Sequence, residues 1–174
     1  MDAARVQTCS VQLFDGAMTI ELPTAFQDLS LLRPVPDHQE VYIDREAERS
    51  VVVEVVEYQQ KVSQEEAARF FFFDLTKENN ASDAQLISTR LVAADSHIPV
   101  SLHHAVAIAS GTQRIPAEGN RESRVFLAII RLPEHKADIL ISSYSRPGPD
   151  NDAEDSVFTH ALATFKIVRY SLFV

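Results

Sequence analysis

QEVYIDREAERSVVVEVVEYQ, residues 39–59, decides how this chain folds. QEVYID (39–44) alternates in polarity and predicts a strand. REAERS (45–50) is a charged turn, and VVVEVVEY (51–58) is β-branched, as a returning strand should be. Two strands joined by so short a turn can only run antiparallel. Two carboxylates, Glu54 and Glu57, interrupt the apolar run, and an unpaired buried carboxylate is costly. With Asp44 set opposite Val51, Tyr42 meets Val53, Glu40 meets Val55 and His38 meets Glu57. One face then carries Val51, Val53, Val55 and Tyr42, ending in Glu40 and Glu57. The other carries Val41, Val52 and Val56 with Gln39 and Glu54. Residues three apart in a strand point to opposite faces, so Glu54 and Glu57 diverge. Even so, Asp37, Glu40, Glu54 and Glu57 collect at one end of the hairpin. The residues alone leave two readings open, solvated strand ends or a binding patch.

Outward from this hairpin the same signals recur. VQLF (11–14) and AMTIEL (17–22) flank Asp15-Gly16, the signature of a two-residue hairpin turn, and Pro23 closes the second strand. TAFQDLSLL (24–32) reads as a loop with one helical turn, and Pro34 and Pro36 forbid regular helix after it. Ser63 with Glu66 forms a capping box that opens a helix over SQEEAARFFFFDLTKEN. Its four consecutive phenylalanines, Phe70 to Phe73, exceed one helical face, so that segment is covered nearly all round or the helix ends inside it. QLISTRLVAA (85–94) and HAVAIASGTQRI (104–115) predict strands, with PAEGNRES (116–123) a surface loop. RVFLAIIRL (124–132) is apolar on both faces, as expected of a central strand covered on both sides. PEHKA turns the chain into DILISSYS (138–145). After the loop 146–155, Val157, Phe158, Ala161, Leu162, Phe165 and Val168 repeat at helical spacing, with Asp152, Glu154 and Asp155 where a helix N-terminus favours negative charge. The fold class is α+β, an antiparallel sheet covered by helices.

Composition narrows the function. The 174 residues suggest one domain, 1–174, and 45% hydrophobic content suffices for a core. A net charge of −9, from 25 acidic and 16 basic residues, disfavours nucleic-acid phosphate and anionic membrane as partners. It suits a basic protein surface approached with electrostatic steering. The start of the chain has no apolar segment of a signal peptide, no run is long enough to span a membrane, and the lone Cys9 fits a reducing compartment. The triplet Asn80–Ser82 reads as a plain loop. No phosphate loop, dinucleotide fingerprint or nucleophile elbow is present. His103-His104 lacks metal-site spacing, and His135 and His160 join no catalytic constellation. An enzyme with its own active site is therefore not expected, nor any cofactor or metal. Without a heptad seam, a monomer is.

The segment LFDGAMTIELPTAFQDLSLLRPVPDHQEVYID (13–44) resembles the N-terminal signature of the Mog-one family, the Ran guanine nucleotide release factors of nuclear transport. LRPVPDHQEVYID is its most distinctive part. SVVVEVVEYQ is similar to the family's next strand, in which two acids sit three apart, and AIIRLPEHKADILIS (128–142) to its later hairpin. SLFV (171–174) is similar to the ending of fungal members. The resemblance implies a PsbP-like α/β/α sandwich, the small GTPase Ran as partner, promotion of nucleotide release from it, and a nuclear location, with the cytoplasm second. The family's acidic pair maps onto Glu54 and Glu57, and Asp37 and Glu40 lie in the matching PVPDHQEV motif. Some relatives carry Asp in place of Glu54, one methylene shorter. A non-catalytic adaptor of the same fold is the alternative, since fold alone does not fix function.

Overall fold

The computed structural model describes residues 6–94, 96–148 and 155–173. A seven-stranded, wholly antiparallel sheet forms its middle layer, in the order β3-β4-β5-β9-β8-β7-β6. These strands are β3 (Gln27–Asp28), β4 (Gln39–Asp44), β5 (Arg49–Glu57), β6 (Asp83–Val92), β7 (Ala105–Arg114), β8 (Glu122–Leu132) and β9 (Ala137–Ser145). A second sheet has the order β1-β2-β10, from β1 (Thr8–Leu13), β2 (Met18–Pro23) and β10 (Lys166–Ile167). Helix α1 (Gln64–Glu78) covers one face of the large sheet; α2 (Ser156–Thr164) and the small sheet cover the other. The result is an α/β/α sandwich whose second outer layer is part helix, part sheet.

Burial follows from this layering. Val125 to Leu132 of β8 are buried at every position, because α1 lies above them and α2 with β2 below. Ala67, Ala68, Phe71, Phe72 and Leu75 of α1 pack on Ala107, Ala109, Leu127 and Ile129. The predicted capping box starts α1: Ser63 Oγ accepts from the Glu66 N–H at 3.2 Å, and the Glu66 carboxylate accepts from the Ser63 N–H at 3.2 Å. Such a box contributes about 1 kcal/mol.

Four expectations need correction. The β4–β5 hairpin closes in a four-residue turn, with Asp44 opposite Arg49 and Glu40 opposite Val53, two residues from the expected register. An even slip preserves the faces, so Val51, Val53 and Tyr42 still point into the core. Asp44 anchors the tighter turn. It accepts from the Ala47 N–H at 3.1 Å and from Arg49 at 2.9 Å, and these contacts, the backbone one first, hold its carboxyl below the usual range. The Asp15-Gly16 turn is likewise longer than two residues. The last pair is Leu13 with Met18, and Phe14, Asp15 and Gly16 all take positive φ. The phenylalanine run neither ends α1 nor is wholly covered; Phe71 and Phe72 are buried while Phe70 and Phe73 stay part-exposed. Finally, helical spacing through Val168 overshoots. α2 stops at Thr164, because Lys166–Ile167 gain strand pairing with β2, and Val168 is exposed. Asp155 caps α2 by accepting from the Val157 N–H at 2.9 Å; Asp152 and Glu154 lie outside the described residues.

Candidate functional site

The four predicted acids do share one end of the β4–β5 hairpin, but not one face. β5 pairs with β9 without a bulge from Ser50 opposite Tyr144 to Glu57 opposite Ala137. Nothing therefore rotates Glu57 onto the side of Glu54. Glu57 is exposed at the strand's end, and Asp37 is exposed just before β4. Glu40 points to the small-sheet face, where its carboxylate accepts from the Phe14 N–H at 2.7 Å and fastens the β1–β2 turn. Burial, with Asp28 and Asp15 nearby, pushes its carboxyl up despite that bond. The same burial, with Asp28 and Glu40, pushes the Tyr42 hydroxyl up to about 12.

Glu54 is the informative residue. It is only 5% exposed, yet no apolar layer closes over it. Helix α1 packs chiefly on β6, β7 and β8, and of β5 only Val56 joins the cluster beneath it. The gap between the end of α1 and the segment before β4 is a cleft of about 600 Å3, and Glu54 lines it with Gln39, Val52, Leu75, Glu78 and Tyr144. His38 Nε2 lies 3.2 Å from the Glu54 carboxylate and is half-exposed, so it guards the acid from the solvent side. Glu78, the last residue of α1, sits on the rim. Burial first, then the charges of Glu54 and Asp74, push its carboxyl up. A carboxylate at a helix C-terminus also opposes the helix dipole. Arg33, Arg121 and Arg146 also line the cleft, the last two paired with Glu48, so Glu54 and Glu78 hold negative charge against local preference, an arrangement suited to accepting an ammonium or guanidinium group.

Sequence reasoning missed the device that holds this end together. Arg131 of β8 and Asp138 of β9 are 3% and 0% exposed, and their Nε–Oδ1 distance is 2.7 Å. The remaining guanidinium nitrogens donate to the carbonyls of Gln59, Val62 and Ser63 at 2.9, 3.1 and 3.3 Å, and the group stacks 4.5 Å from the Tyr58 ring centroid. Asp138 also accepts from the Gln59 N–H at 3.1 Å. One buried fork therefore fixes the loop that follows Glu57 and leads into α1. The signal was present: a charge in each of two apolar strands, facing one another once the PEHKA turn is counted. Among the described residues, no group of His, Cys, Asp or Glu is arranged to hold a metal, and no helix is long and apolar enough to cross a membrane.

The chain is 34% identical over 142 residues to the Ran guanine nucleotide release factor of Bos taurus, covering 80% of this chain and 76% of that protein. The crystal structure of the Saccharomyces cerevisiae Ran-binding protein Mog1p superposes with a TM-score of 0.75 at 22% identity, over 97% of this chain and 100% of that one. Cyanobacterial PsbP from Synechocystis superposes with a TM-score of 0.63 at 10% identity, over 96% of each chain, so the fold is PsbP-like. A family model described as the Ran-interacting Mog1 protein matches residues 11–146, a span that takes in the β4–β5 hairpin, α1 and the Arg131–Asp138 fork. With more than half of its length under that model, the chain belongs to the Ran-interacting Mog1 protein family.

Proposed function

We propose that this protein binds the small GTPase Ran through the acidic end of the β4–β5 hairpin and promotes release of its guanine nucleotide, in support of nuclear protein import. The observation that carries the assignment of the surface is Glu54. It is a nearly buried carboxylate on the floor of an open cleft, paired with a half-exposed histidine. Glu57 and Asp37 extend the acidity around the strand end, and Glu40 serves the same region indirectly by fixing the β1–β2 turn. Membership of the family supports a regulatory rather than a catalytic role, with residues 1–174 acting as one Ran-binding domain. The place of action follows from the role, nuclear with the cytoplasm second.

An acidic surface will not hold nucleotide phosphates itself. Release follows if the protein favours a state of Ran that grips nucleotide less well, and linkage then makes nucleotide weaken this protein's binding equally. In our reading, Glu57 and Glu54 engage lysine or arginine side chains near the nucleotide pocket and draw them away from phosphate or magnesium. The test is binding to nucleotide-free and GTP-loaded Ran by wild type, Glu57→Ala and Glu54→Ala. Nucleotide-free Ran should bind more tightly, and Glu57→Ala should lose binding with an unchanged melting curve. Equal affinity for both forms of Ran would overturn the mechanism. Full binding by both variants would favour an adaptor that uses another surface.

A further inference from the structure

The run Phe70–Phe73 serves the fold with only two of its rings. Phe71 and Phe72 are buried, whereas Phe70 and Phe73 are 39% and 38% exposed on the outer side of α1. Helical spacing places Glu66, Arg69, Phe70, Phe73, Asp74 and Lys77 along one outward stripe. With Lys61 and Val62 of the preceding loop, this stripe lines a shallow groove of about 560 Å3.

The charges around the two rings are not balanced. The Glu66 carboxylate is committed to the capping box, where it accepts from the N–H and Oγ of Ser63 at 3.2 and 3.0 Å. Lys61, Arg69 and Lys77 thus outnumber the groove's two acids, Glu66 and Asp74, with the Arg69 guanidinium 5.1 Å above the Phe73 ring. Two of the chain's four lysines are here, on a protein of net charge −9. Aromatic side chains, phenylalanine included, and arginine are also enriched at protein interfaces.

We propose that the outer stripe of α1 is a second docking surface, for a protein segment that carries carboxylates on either side of an apolar anchor. The anchor fills the groove between Phe70 and Phe73, and the carboxylates reach Lys61 at one end and Lys77 at the other. The helical part of that span, Gln64 to Lys77, is about 20 Å long. The surface is opposite in charge to the Glu54 cleft and shares no residue with it, so the two can be occupied by different partners.

A fluorescein-labelled peptide of about 14 residues, with two central leucines one helical turn apart and glutamates at both ends, is the probe. Its controls replace the leucines by serine or the glutamates by lysine. By fluorescence anisotropy, the full-length protein should bind the probe about tenfold more tightly than either control. Lys61→Glu/Lys77→Glu, which alters exposed side chains only, should erase the preference for glutamate, and Phe70→Ser/Phe73→Ser should weaken the probe by about tenfold. Neither variant should change Ran binding. Equal binding of probe and controls, or no effect of the charge reversal, would overturn the proposal. So would a concentration-dependent dimer abolished by Phe70→Ser/Phe73→Ser, which would give the stripe to a second copy of the chain, or a matching loss of Ran binding, which would fold it into the first site.

Discussion

Arg131→Ala removes the centre of the fork that holds the loop after Glu57. The structure sets the magnitude. Asp138 would remain wholly buried with one backbone donor, the Gln59 N–H, and the carbonyls of Gln59, Val62 and Ser63 would lose their shared partner. Breaking a buried pair from one side costs about 3–5 kcal/mol. For a chain of this size that corresponds to a melting temperature lower by about 6–20 °C. Burial already pushes the Asp138 carboxyl up, while the Gln59 N–H and Arg131 pull it down; without Arg131 it must rise further. A carboxyl raised in the folded state contributes stability that is complete below its ordinary value of 3.8 and is lost as pH rises through the raised value. The penalty of Arg131→Ala should therefore shrink as pH is lowered from the variant's raised value down to the lesser one of wild type. Urea unfolding followed by circular dichroism, repeated across pH, measures both effects. Arg131→Met/Asp138→Leu, which removes both charges, should recover much of the loss because no stranded carboxylate remains. A loss under about 1 kcal/mol for Arg131→Ala, or a double variant no better than the single, would refute this account of the fork.

Two further outcomes rest on separate features. Gly111 of β7 lies beneath α1, where an added Cβ would stand 2.2 Å from the Gln85 carbonyl oxygen and 2.4 Å from the Phe72 ring. Gly111→Ala should thus cost upwards of about 1–3 kcal/mol, read as a lowered urea midpoint. Glu40→Gln keeps an acceptor for the Phe14 N–H but cannot ionise. Because the Glu40 carboxyl is raised above 4.5, chiefly by burial, the stability of the variant relative to wild type should climb as pH rises through the raised value and then level off. A flat difference in pH-dependent unfolding would contradict the burial argument.

Local pattern in the chain determined the elements of this protein, because periodicity, capping and turn chemistry act over a few residues. The capping box at Ser63, the alternation of residues 39–44 and the two-faced apolarity of residues 124–132 each led to the right element. The same logic placed Asp37, Glu40, Glu54 and Glu57 at one hairpin end, and strand geometry parted Glu54 from Glu57. Tertiary structure decided what those positions experience, because burial depends on which distant segment arrives above them. α1 packs chiefly on β6, β7 and β8, so Glu54 floors a cleft instead of a core, and Glu78 and His38 come to it from elsewhere in the sequence. The four phenylalanines have the same chemistry, and only the side on which the sheet lies separates the two that build the core from the two that face out. The end of α2 was settled non-locally too, by a strand partner more than 140 residues away in β2 that outcompeted helical spacing which the sequence carries as far as Val168.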